Sequence, residues 1–446
     1  TTGDQSMDDL INCFQNSAGE QPRPVWLQES LATVELPSRS TFSYLNVNML
    51  RDAIQKTVEL NGDWGIGVSP EDLLELQQIL GLEDLDFICS ASGLDETRYA
   101  ERTVLQFNAP PSGLLAALTT DSLSVEELSF IPEEANIALA VKADFKKVLE
   151  AFLMIADCGA FGDFGYALPN IAQNSSDEEE EETLLQGGRI DIKPSDFLEN
   201  IRMMMVMQWG VDPVEDVLPL LGDTVVFYDY PLGGSYPFFG STIAFELLDE
   251  EKYLELQTTI IEGLRDVYPE YMSEMFQTIE VHGGPIYALQ QIRGAGGGGF
   301  SFFIPTWQDV PLQPSWTVSD GRLFISISPE HIRDALYRIN DFREPFNTDS
   351  LSSLIHDERG SPSIMIFYDG TRSIKKHYAT VIQYSPWIED YLKHQFDIES
   401  PPIQYPSVEM LQQYARPNLH TVRSEENRII LDTSKAFPMG MKDPVT

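Results

Sequence analysis

Three cysteines in 446 residues are too few for a disulfide scaffold, and none has the paired C-x-x-C spacing or the histidine company of a zinc site. The six histidines, His282, His331, His356, His377, His394 and His420, are scattered singly. No H-E-x-x-H pattern gives support to a zinc hydrolase, and no G-x-S-x-G elbow supports an α/β-hydrolase. No stretch approaches the roughly 18–20 consecutive apolar residues of a membrane-spanning helix. Basic residues are also scarce: 29 Lys and Arg stand against 70 Asp and Glu, a formal net charge of −41. Such a surface repels nucleic acid phosphate and anionic lipid, which sets both aside as partners. It favours cations, basic partners and a saline medium that screens its self-repulsion. Two readings follow, solubility in a salty or extracellular setting and the binding of divalent cations.

What is present begins with glycine. The stretch "QIRGAGGGGFSFFIPTW" places Gly294, Gly296 and Gly299 in the G-x-G-x-x-G order of a dinucleotide-binding turn. That order has mechanical meaning only where a strand precedes it and a helix follows, because phosphates bind the free amides of a helix start. Phe300, Ser301, Phe302, Phe303 and Ile304 read instead as an aromatic strand closed by Pro305, and no Lys-Ser or Lys-Thr follows the glycines. A turn between two strands is the expectation, with no nucleotide cofactor.

The chain opens Thr1-Thr2-Gly3, which reads as the residue of a removed leader and points to an extracytoplasmic, periplasmic or secreted protein; an artificial truncation reads the same way. Export allows one disulfide with a thiol left over. Cys89 lies in the apolar run "LDFICSAS", a buried strand, so the pairing expected is Cys13 with Cys158, beside the alternative of three unrelated buried thiols.

Self-similarity carries the most information. "LPSRSTFSYLNVNMLRDAIQKTVEL" from Leu36 resembles "IPEEANIALAVKADFKKVLEAFLMI" from Ile131. Each runs from proline through an alternating strand into an amphipathic helix, with Leu50, Ile54 and Val58 on one apolar face of the first and Phe145, Leu149 and Phe152 on that of the second. Each such face is expected to cover a sheet. "WGIGVSPEDLLELQQILG" from Trp64 is matched by "WGVDPVEDVLPLLG" from Trp209, and two strands follow each. The unit is strand, helix, helix, strand, strand. A third, partial copy starts at Ser361, and a strand pair with an Asp320-Gly321 hairpin turn precedes it.

The expected organisation is a segment 1–30, a first unit 31–128, a second 129–265 with an acidic insertion 158–195, a hairpin-containing extension 266–345 and a partial third unit 346–446. The expected fold class is α+β, with duplicated units and helices packed on one face of antiparallel sheets.

The acidic run from Asp177 to Glu182 supplies the metal candidates Asp177, Glu178 and Glu180, with calcium as the ion. The run has neither the spaced ligands nor the glycine of an EF-hand loop, and six like charges also read as a solvated insertion. Met203, Met204, Met205 and Met207 point in different directions around a helix, so they read as packing rather than as a copper site.

The proline-strand-helix openings, Leu221-Gly222-Asp223 running into a strand, and "WTVSDGRLFISISPEHIRDAL" together resemble an uncharacterised family of exported proteins with a domain of unknown function, common in planctomycetes and related bacteria. In that family a phrase of the form D-G-x-L feeds a serine-capped helix, as Asp320-Gly321-Arg322-Leu323 precedes Ser328-Pro329 here. The resemblance spans about residues 31–440; the glycine turn and the acidic insertion depart from it. It implies an exported protein and brings no catalytic residues. The leading expectation for function is a non-enzymatic envelope or extracellular interaction protein, self-associating or bound to another envelope protein. A polymer hydrolase with carboxylates beside exposed Trp or Tyr in a cleft between units, and a calcium-dependent adhesive or surface-layer subunit, are the alternatives.

Overall fold

Among the described residues, runs rich in β-branched and aromatic residues, alternating in burial, form thirteen strands that join in one sheet. They are β1 (Thr41–Asn46), β2 (Leu85–Asp95), β3 (Arg98–Phe107), β4 (Ile137–Lys142), β5 (Leu221–Asp229), β6 (Ser241–Leu247), β7 (Phe276–Val281), β8 (Gly284–Leu289), β9 (Ser315–Ser319), β10 (Arg322–Ser326), β11 (Ile364–Asp369), β12 (Pro417–Glu425) and β13 (Arg428–Ala436). The helices used below are α1 (Val25–Val34), α2 (Val47–Asn61), α3 (Pro70–Leu80), α4 (Gly113–Ala117), α5 (Phe145–Asp157), α6 (Glu250–Val267), α7 (Pro329–Ile339) and α8 (Val408–Tyr414). This computed structural model describes residues 25–34, 40–61, 70–95, 98–118, 121–157, 210–229, 241–267, 276–289, 313–340, 361–375, 406–415 and 417–436, with isolated positions at 199–207, 269 and 378–393.

The strand order is β1-β2-β3-β13-β12-β11-β4-β5-β6-β10-β9-β8-β7, and every pairing is antiparallel. Three sets of strands, β1 to β3, β4 to β6 and β11 to β13, each lie side by side. The last set sits between the other two, with β13 on β3 and β11 on β4. The α+β class is therefore observed, as one continuous antiparallel sheet with helices.

Local chemistry sets the sharpest turns. Asp320 and Gly321 join β9 to β10 with φ of 52° and 66°, both left-handed, as a two-residue hairpin of type I′ requires. Ser328 then accepts a hydrogen bond from the Glu330 amide, and Pro329 occupies the first turn, so α7 starts there.

The main core lies on one face of the sheet, here the first face. Ala138, Ala140, Val226, Tyr228, Ala244, Phe324 and Met365 point to it from five strands, under Leu123, Leu128, Phe130 and Ile131. Three alanines make room for the larger covering side chains, and Phe130 meets Phe324 edge-on at 5.4 Å. Helix α7 closes the same face with Ala335 over Phe324 and with Ile332 and Leu336 over Ile286.

Helices occupy both faces, which corrects the expectation of one. The lateral pairs Phe245–Leu323–Val318 belong to the second face, and Tyr253 of α6 packs there. Alternation along the strands leaves apolar side chains on both sides of β6 and β10, so each side recruits a helix. A second correction concerns α5. Helix α2 does reach the sheet, through Val47 against Leu85 and Phe107, although Leu50 is exposed; on α5, Phe152 is 65% exposed. The buried contact of α5 is Ala151, which with Ile155 packs against Ile79, Leu76 and Leu114 of α3 and α4. A small residue lets helices approach closely, so these helices pack on one another instead of laying that stripe on the sheet.

Candidate functional site

Among the described residues, a group of interacting charges borders a cavity on the first face, where β5 breaks register. Leu221 pairs with Leu247 and Val225 with Phe245, so Gly222, Asp223 and Thr224 stand opposite the single residue Glu246. Such bulges re-aim side chains. A Cβ at position 222 would run into the Glu246 carboxyl, so glycine lets that side chain fold over the bulge.

From above, Ser124 and Glu127 form a reciprocal cap around the one-turn helix Glu126–Leu128. The Ser124 amide donates to Glu127 Oε2 at 2.5 Å, and the Glu127 amide donates to Ser124 Oγ at 3.3 Å. The other oxygen, Oε1, accepts from Lys142 Nζ at 2.8 Å and from Thr224 Oγ1 at 2.9 Å. Lys142 also lies 3.7 Å from Asp223. Glu127 thus pins the segment over the core to β4 and β5.

Carboxylate oxygens of Glu127, Asp223 and Glu246 lie within 4.8 Å of one another. The cation among them is the Lys142 ammonium, and we assign no metal to the group. Burial pushes the Glu127 carboxyl up, but hydrogen bonds from Lys142, the Ser124 amide and Thr224 together hold it below its ordinary value. Glu246 moves the other way: burial, then Asp223 and the charge of Glu127, raise it. Burial lowers the Lys142 ammonium, and its three carboxylate neighbours more than restore it, so it stays charged. The group borders a cavity of about 190 Å³ whose lining includes Phe130, Val226, Ala244, Asp320 and Arg322. That lining contains no Trp or Tyr.

A different kind of surface occupies the second face. Two lateral rows cross β11, β4, β5, β6, β10 and β9: Ile364, Val141, Val225, Phe245, Leu323 and Val318, then Ile366, Leu139, Phe227, Ile243, Ile325 and Trp316. Helix α6 covers the end near Val318, where Trp316 Nε1 donates to Gln257. Along these rows Ile325 is 39% exposed and, on β11, Ile366 is 40% exposed with Tyr368 beside it at 36%. Across β12, β13, β3, β2 and β1 the second row continues as His420, Thr433, Glu101, Ser92 and Thr41.

Asp177, Glu178 and Glu180, the expected calcium ligands, lie outside the described residues, as do Cys13, Cys158 and the glycine turn at 294–299. Cys89 is fully buried on β2 as a free thiol, as its apolar run suggested; burial, slightly opposed by Arg428, pushes it up to about 11. None of the carboxylates that do converge was singled out from the sequence. Two local signals point to them, the S-x-x-E spacing of Ser124 and Glu127 and the glycine of Leu221-Gly222-Asp223.

No protein-family model, no curated protein and no solved structure matches this chain. Among the described residues no helix is long and apolar enough to cross a membrane.

Proposed function

We propose that this chain is a non-enzymatic, extracytoplasmic interaction protein whose apolar sheet rows receive a basic, aliphatic segment of a protein partner. The observation that carries the reading is the pair of uncharged rows on the second face, with Ile366, Ile325 and Tyr368 accessible. Contiguous accessible apolar surface on a sheet marks a site of association. Charge selects the occupant: at −41 the protein repels a second copy of itself and anionic lipid, and attracts a cationic segment. The acidic balance also suits a saline, extracytoplasmic medium. Duplication of a strand, helix, helix, strand, strand unit is part of the proposal, supported by the three sets of strands that lie side by side. The converging carboxylates support a structural duty over a catalytic one, because Glu127 is committed to Ser124, Lys142 and Thr224.

The test uses a labelled amphipathic peptide of Leu and Lys as probe, with neutral phospholipid vesicles in parallel. Binding should weaken at least about tenfold, ~1.4 kcal/mol, in Ile366→Asp. It should also fall when salt is raised to about 0.5 M, where the screening length drops to a few ångströms. Peptide binding indifferent to Ile366→Asp sinks the proposal, and so does uptake of the vesicles in place of the peptide. Calcium-dependent self-association in sedimentation would replace it with the adhesive reading.

A further inference from the structure

Cross-strand register sets Arg322 directly opposite Glu246, on adjacent strands and the same face. Opposite charges so placed ordinarily pair. Here they do not: the Arg322 guanidinium lies 5.1 Å above the Phe130 ring and binds Asp320 at 2.9 Å. Glu246 Oε2 is buried without a hydrogen-bond partner. The other nearby cation, Lys142, is held by Glu127 and Asp223. Three carboxyl groups thus share one ammonium beside a cavity, while the arginine that register assigns to them is turned away. An arrangement of this kind is stable when one of the carboxyl groups carries a proton.

We propose that Glu246 holds a proton beside the Asp223 carboxylate, and that its loss draws Arg322 off Phe130 and Asp320 and onto Glu246, making this corner of the sheet a pH-sensitive latch. The groups facing Glu246 are Asp223 from β5, Glu127 from the covering segment, Lys142 from β4, and Asp320 and Arg322 from the β9–β10 hairpin. Glu250 of α6 stands behind the hairpin, accepting from the Gly321 amide at 2.8 Å. In the protonated state Arg322 covers Phe130, the aromatic anchor of the covering segment. In the ionised state the guanidinium crosses to β6, Phe130 loses its cation, and Asp320 loses its salt bridge.

The direction with pH follows from the two glutamates. Burial, followed by Asp223 and Glu127, raises Glu246 above its unfolded value, so its share of stability is complete below about 4.3 and is lost as pH rises through the folded value. Glu127 is lowered on balance, and its share is present above about 4.3 and lost as pH falls through its own folded value. The latch is firmest between the two, in mild acid.

The experiment is a pH titration of the full chain carrying carbon-13 at glutamate side-chain carboxyls and nitrogen-15 in arginine, in chelator. We expect one glutamate to titrate above the ordinary value of about 4.3 and the Arg322 Nε signal to shift with the same midpoint. The raised titration should vanish in Glu246→Gln and return toward the ordinary value in Asp223→Asn, which carries the test should the first variant not fold. No raised glutamate, a raised glutamate that survives Glu246→Gln, or an Arg322 signal that ignores the titration would each overturn the proposal.

Discussion

Two ion clusters sit on the same face of the sheet, one in each half, and they are balanced in opposite ways. Across β3, β13 and β12, Arg102 holds Asp432 through both oxygens at 2.6 and 3.2 Å and donates to the Val34 carbonyl of α1. Arg423 binds the same Asp432 at 2.6 Å and reaches Glu425 at 3.6 Å. Two guanidinium groups, each below a tenth exposed, face two carboxylates, and the charges cancel. Across β4, β5 and β6, three carboxylates face one lysine, and the matching arginine is turned to Asp320. A planar fork that meets a carboxylate at two points fixes strand register. An incomplete cluster leaves the charge state open, and with it the geometry. The first is built to stay, and the second is built to respond.

The largest effect that breaks this contrast is Asp432→Ala, which leaves two buried arginines without their shared partner. It should lower the unfolding free energy by about 3–5 kcal/mol, measured by denaturant titration, with little dependence on pH near neutrality. Next is Lys142→Met, which removes the one ammonium among three carboxylates. A loss of about 1–3 kcal/mol at neutral pH is expected, and it should shrink in acid as Glu246 and then Glu127 take up protons. An equal loss at both pH values would erase the distinction between the clusters. Gly222→Ala pushes the Glu246 carboxyl off the bulge and should cost about 1–3 kcal/mol by thermal melting, again in the second cluster alone. The smallest effect belongs to Arg333→Ala, whose exposed pair with Glu330 is worth no more than about 0.5 kcal/mol. Cys89 sharpens the comparison further. With its thiol pushed up to about 11 and fully buried, it should resist alkylation until the half containing β2 opens. Mass-spectrometric labelling of Cys89 in Lys142→Met reports whether disturbing one half opens the other.

Much of the local architecture was legible in the sequence because it depends on neighbours in the chain. Asp320-Gly321 is a turn since both positions need left-handed backbone, and Ser328 with Pro329 starts a helix by satisfying its first amides. The strands around Cys89 and Val225 followed from apolar runs in the chain. The apolar stripe of α5 was legible too, but its destination was not: the period says that Phe152 and Leu149 share a side, and it is silent on which neighbour arrives there. The paired rows of the second face depend on strand register, which brings Leu139, Phe227 and Ile243 side by side from three separate segments. Glu127, Asp223 and Glu246 meet only because β5 shifts register by a bulge, and each alone is one of 70 acidic residues.

The strand order has a consequence for how the molecule is made. The last set of strands, β11 to β13, is inserted between β3 and β4, which leave the ribosome long before it. Until residues 364–436 have been synthesised, β3 and β4 each present a bare, hydrogen-bonding edge, and the sheet exists as two unjoined pieces. Pairs such as Arg102 with Asp432 close loops of more than three hundred residues, a separation that makes the joining slow. The newborn chain therefore has to be kept from pairing its open edges with other chains until residues 364–436 arrive to fill the gap.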